Sequence, residues 1–89
     1  MEKISMENLI NELPKMSISQ IAGLIQIDWK NVNFGAKPYL DAMFSLTTIN
    51  DKYGCDEGRS IVAYFLCNAS QWKGDFAKAC KKHLNKLIK

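Results

Sequence analysis

YGCDEGRSIVAYFLCNASQWKGDFAKACKKHLNKL, residues 53–87, is the stretch whose reading decides the fold. Its middle, SIVAYFLCNA at 60–69, is apolar almost all the way round when wound as a helix. A helix without a polar side has to be covered on most sides, which places this segment at the centre of the fold. Asp56 stands ahead of it as a plausible N-cap, since its carboxylate can accept from free backbone N–H groups in the first turn. Residues 70–74 break the pattern, and a last helix is predicted from Asp75 to about Ile88. That helix is two-faced. At about 100° per residue, Phe76, Ala77, Cys80, Leu84, Leu87 and Ile88 share one side, and Lys78, Lys82, Lys86 and Lys89 the other.

Towards the N-terminus, DWKNVNFGAKPYLDAMFSL covers residues 28–46. NVNFGAK at 31–37 reads as a connection, with Gly35 suited to a backbone turn, and Pro38 fits the first turn of a helix, where its missing N–H is not needed. Leu40, Met43, Phe44 and Thr47 are expected to face inward, on a helix ending near Asn50 and Asp51, before a loop KYGCDEG. Ser17 and Gln20 form a capping-box signature for an earlier helix, on which Ile18, Ile21, Ala22, Ile25 and Trp29 share a face. Met6, Leu9, Ile10 and Leu13 make a short apolar stripe that Pro14 ends. No segment alternates apolar and polar residues beside hairpin residues, so strands are not expected. The reading is one all-α domain over residues 1–89, a compact bundle of four to five short helices around the apolar segment 60–69.

The chain has 89 residues, 47% hydrophobic and 24% charged, which is ordinary for a globular domain that buries roughly 60–65% of its unfolded surface. No apolar run approaches the roughly 18 residues of a membrane span. MEKISMENLINELPK mixes acids into its apolar positions and does not read as a secretory signal. A cytoplasmic protein is expected, with Cys55, Cys67 and Cys80 as reduced thiols, since none sits at CxxC spacing. The net charge of +3 is uneven. Residues 73–89 hold six lysines against Asp75, a balance of +5, whereas residues 1–72 hold six bases and eight acids, a balance of −2.

Lys78, Lys81, Lys82, Lys86 and Lys89 are therefore candidates for nucleic-acid contact, because phosphate binding needs several cations on one surface. With no arginine or aromatic among them, base readout is not expected, and a solvated helix face is the plain alternative. A helix-turn-helix over 17–33 fits poorly. Gln26 stands where the turn glycine belongs and Gly23 comes too early, so one uninterrupted amphipathic helix explains the same residues. Cys55, Cys67, Cys80 and His83 have the composition of a Cys3His zinc site, yet Cys67 and Cys80 sit on apolar surfaces where free thiols pack as small hydrophobes. Asp28, Asp41, Asp51, Asp56, Glu57 and Asp75 fall near helix ends, where capping accounts for them, and Gly54, Gly58 and Gly74 are isolated. No catalytic set, metal or cofactor is expected. Nine aromatics remain, most of them for the core. Trp29, Phe34, Tyr53 and Trp72, at segment ends, are the candidates for an exposed patch that would serve a protein partner or a homodimer.

The pattern WKNVNFGAKPYLDAM followed by YGCDEGRSIVAYFLCNASQWKGDFAKACKKHL resembles a group of short bacterial proteins often carried on prophages and other mobile elements. The resemblance covers about residues 28–88. It rests on Trp29, Phe34, Gly35, Pro38, Tyr39, Tyr53, Gly54, Phe65, Leu66, Asn68, Ala69, Trp72 and Gly74. It implies an accessory protein and supplies no catalytic residues. The expectation is a non-enzymatic protein that acts by occupying a protein partner, with nucleic-acid binding through the basic last helix as the alternative.

Overall fold

The computed structural model describes residues 6–89, with Met6 described by its backbone alone. The reading of residues 1–5 as part of no secretory signal, and of the Met6 side chain as part of the first apolar stripe, lies outside the described residues. The fold is mostly helical. Helices α1 (Met6–Glu12), α2 (Ile18–Asp28), α3 (Lys37–Met43), α4 (Gly58–Cys67) and α5 (Asp75–Ile88) are joined by a 3-10 turn at Leu13–Lys15 and a two-stranded hairpin. Among the described residues no helix is long and apolar enough to cross a membrane.

α2 forms where its local signals place it. Ser17 Oγ accepts from the Gln20 N–H at 3.2 Å, and Gln20 Oε1 accepts from the Ser17 N–H at 2.9 Å, a complete capping box. The next two free N–H groups, of Ile18 and Ser19, donate to the carbonyls of Thr47 and Leu46 at 2.9 and 2.8 Å. Ile18, Ile21, Ala22, Ile25 and Trp29 are all buried. The helix runs through Gly23 without a break, which removes the helix-turn-helix alternative. Ser17→Ala is expected to cost about 1 kcal/mol, read as a lower urea midpoint with unchanged slope. A larger loss would mean that the 46–47 carbonyls also let go.

α3 is shorter than its sequence suggests. It ends at Met43, and Phe44 and Thr47 are exposed rather than inward. The chain turns there because Leu46 drops into the core, which leaves the carbonyls of residues 46 and 47 aimed at the start of α2. Asp51 then ties the loop back. Its carboxylate accepts from the backbone N–H groups of Thr47 at 2.7 Å and Thr48 at 3.2 Å, and these bonds hold its carboxyl below the usual range.

The segment KYGCDEG is a hairpin, not a loop. Strands β1 (Lys52–Tyr53) and β2 (Asp56–Glu57) pair antiparallel, with Lys52 opposite Glu57 and Tyr53 opposite Asp56. Gly54 carries φ +63° and the following Cys55 does not share the positive sign, the pattern of a two-residue turn with glycine first. The strands are too short for alternation to reveal them. Asp56 consequently lies in β2 and does not cap α4. The first N–H groups of α4, from Gly58 and Arg59, donate to the backbone carbonyls of Asp51 at 2.6 Å and Ile49 at 2.8 Å.

α4 packs between α3 and α5, α2 closes against α3 and α5, and α1 lies along α5. One side of α4 is nevertheless open: Tyr64 and Cys67 are exposed, so the helix is not wrapped as its apolar sequence implies. Among the described residues no polar or charged residue is buried in the core. At one end, Trp29 and Trp72 stack with centroids 5.9 Å apart and planes 9° apart, while Phe65 and Phe76 meet Trp72 edge-on at 6.3 and 6.1 Å. The Trp72 indole N–H donates to Asp28 Oδ2 at 2.8 Å, which ties the 70–74 segment to the end of α2.

Candidate functional site

The four aromatic candidates divide. Trp29 and Trp72 are 7% and 2% exposed and belong to the core, so they are removed from any surface patch. They sit at segment ends, but those ends meet inside the fold. Phe34 is 96% exposed and Tyr53, on the hairpin, is 46% exposed.

Phe34 is not on a loose loop. On either side of it the chain is anchored. The Asn33 carbonyl accepts from the N–H groups of Ala36 at 3.1 Å and Lys37 at 3.0 Å, and Ala36 is fully buried. Val32 packs against the core. Gly35 lies so close to α4 that a Cβ there would stand 2.6 Å from Asn68 Oδ1. A side chain at Gly35 would have to displace the Asn68 amide, and the glycine does not serve, as its sequence context suggests, a special turn conformation, because its φ is not positive. Asn68 is itself fixed, its Nδ2 donating to the Tyr64 carbonyl at 2.8 Å. The Asn33 Oδ1 is buried without a hydrogen-bond partner among the described residues. The fold thus tolerates an orphaned acceptor in the same turn that projects a phenyl ring into solvent.

Asn68 connects this turn to a second aromatic element. One helical turn earlier on α4, Tyr64 is half exposed, and its ring lies 5.3 Å from that of Tyr39 on α3. Tyr64 escaped the sequence reading because its helix scored as apolar on every side. The signal was present, since a tyrosine ring packs while its hydroxyl stays wet. Ile27, 73% exposed, is another missed residue. At about 100° per residue it stands opposite the buried stripe of α2, and with Leu9, Leu24 and Phe76 it borders a shallow apolar recess.

The lysines also divide. Lys78, Lys82, Lys86 and Lys89 are exposed along α5, as the spacing predicts. Lys81 is half-buried and engaged: its Nζ donates to the Trp72 carbonyl at 2.6 Å and lies 5.8 Å from the indole centroid. Burial, then the neighbouring charge of Lys73, lowers its pKa.

The cysteines and His83 are not brought together. Cys55 is exposed at the hairpin tip, Cys67 is exposed at the end of α4, and Cys80 is buried. Among the described residues no three His, Cys, Asp or Glu side chains gather as a metal would require. Burial, and secondarily the charge of Asp28, pushes the Cys80 thiol up to about 12, so it packs as a neutral hydrophobe at physiological pH. His83 is half-buried, and burial followed by the charge of Lys86 lowers its pKa. No family model, curated protein or solved structure matches the chain.

Proposed function

We propose that the protein is a small non-enzymatic binding module that engages a protein partner through the Phe34 turn. One observation carries this reading: a phenylalanine 96% exposed on a turn closed by the Asn33 carbonyl and anchored by the buried Ala36, with Gly35 lying close against Asn68. An exposed ring on a mobile loop loses much of its burial energy to ordering, whereas a ring held in place keeps it. Covering Phe34 in an apolar pocket of a partner contributes about 1.5–3 kcal/mol, the size of an interface anchor. The resemblance to mobile-element proteins supports an accessory role in which occupying a host protein is the whole activity.

The test replaces Phe34 with the photo-crosslinker p-benzoylphenylalanine and irradiates it in lysate of the source cells. A single crosslinked partner is expected, displaced by excess wild-type protein and about 10–100-fold less effectively by Phe34→Ala. Equal displacement by both competitors would end this reading.

A further inference from the structure

We propose that the outward face of α5, extended at its start by Lys73, is a docking surface for the phosphodiester backbone of a nucleic acid, separate from the Phe34 turn. At about 100° per residue Lys78, Lys82, Lys86 and Lys89 fall within an arc of about 80° on this helix. All four are exposed. Among the described residues the ion pairs are Lys15–Glu12 and Lys37–Asp41, so none of these four lysines is neutralised from within. Asp75 is the one acid on α5, in its first turn, and it makes no ion pair with Lys78.

The structure adds what the helical pattern does not contain. Lys73, Lys78 and Lys81 converge on a recess beside Trp72 and Gly74 at the start of α5. Lys81 is fixed there by its bond to the Trp72 carbonyl, so its side chain surrenders little further freedom when an anion arrives. At the other end, the Arg59 guanidinium donates to the Ile88 carbonyl at 2.6 Å and adds a cation to the close of the strip. From Lys78 to Lys89 the row runs about 16 Å at 1.5 Å per residue, and a nucleic-acid strand presents a phosphate about every 3.4 Å of duplex axis, so the row spans roughly five phosphates.

Two other anionic surfaces fit less well. A membrane-lying helix inserts its apolar face, but Phe76, Ala77, Cys80 and Leu84 are already buried in the core. An acidic protein would want an apolar or aromatic anchor among the cations, and the exposed row offers only lysines. The row carries no exposed aromatic side chain, and the one arginine at its end, Arg59, has its guanidinium engaged with the Ile88 carbonyl, which means contact with backbone and no base readout.

Fluorescence anisotropy with labelled 20-mer DNA of random sequence, duplex and single-stranded, tests the proposal on the whole chain. For four phosphate contacts the logarithm of the binding constant should fall against the logarithm of salt with a slope of about −3.6 on duplex. Affinity then drops roughly 150-fold between 50 and 200 mM salt. The variant K78E/K82E/K86E should lose binding while keeping the wild-type circular dichroism spectrum, K78Q/K82Q/K86Q should flatten the slope by about three contacts, and Phe34→Ala should bind DNA as the wild type does. Absence of binding at 50 mM salt, or equal binding by the folded glutamine variant, overturns the proposal. So does competition by polyglutamate or anionic vesicles as effective as that by DNA at equal charge.

Discussion

Trp72→Ala is expected to lower the stability of the fold by about 3–5 kcal/mol, the range for removing a buried tryptophan side chain. That is a large share of the about 5–15 kcal/mol that holds a small domain together. The value follows from what the ring touches. It stacks on Trp29, the residue that follows α2, and meets Phe65 from α4 and Phe76 from α5 edge-on. Each neighbour comes from a different part of the fold, so no single element can move in to fill the space. Trp72→Phe keeps an aromatic ring but removes the N–H that donates to Asp28. Because Asp28 is exposed, its carboxylate recovers water, and the lost hydrogen bond costs about 1 kcal/mol on top of the smaller ring. Urea unfolding followed by circular dichroism separates the two variants. A loss for Trp72→Ala below about 1.5 kcal/mol would show that this end of the core repacks and that the stack is not central.

The same substitution at two helical glycines is expected to act with opposite sign. Alanine is the better helix former by about 1 kcal/mol, and propensity alone predicts a gain at both positions. At Gly23, in α2, a Cβ would meet its nearest neighbour, a ring carbon of Phe44, at an ordinary 4.0 Å. Gly23→Ala should therefore stabilise by up to about 1 kcal/mol. At Gly58, the first residue of α4, a Cβ would stand 2.9 Å from the Thr48 carbonyl oxygen and 3.1 Å from those of Ile49 and Asp51. These are backbone atoms and cannot swing aside. Moving them also breaks the bonds they accept from the Gly58 and Arg59 N–H groups, each worth about 1 kcal/mol. Overpacking adds about 1–3 kcal/mol, so Gly58→Ala should destabilise by roughly 2–4 kcal/mol net. Thermal or urea midpoints that rise for both variants would refute the steric account.

What could be read from the chain alone was local. Ser17 and Gln20 announce the start of α2 within four residues, and the lysine and apolar faces of α5 follow from its period. The mostly helical class rests on such signals. What could not be read was set by meetings of distant segments. Trp29 and Trp72 look like residues at loose ends until the ends are placed against each other. α3 stops early because Leu46 is drawn into the core, a pull with no trace in the helical period. Asp56 has the chemistry of a cap, but carbonyls of the 48–51 segment had already taken that place. For the candidate sites the division is the same. The exposed lysine row was legible, whereas the Phe34 turn needed the contact of Gly35 with Asn68 to distinguish a held ring from a loop residue.

The short segment between α3 and the hairpin has a consequence for cooperativity. Through the carbonyls of Leu46 and Thr47 it finishes the start of α2, and through those of Ile49 and Asp51 it finishes the start of α4. Neither helix supplies these acceptors for itself, so neither reaches its full bonded state until this one segment is in place. Two helices separated in the chain therefore share a single latch. A thermal fluctuation that lifts it frays both starts together, so the first turns of α2 and α4 are coupled through this one segment.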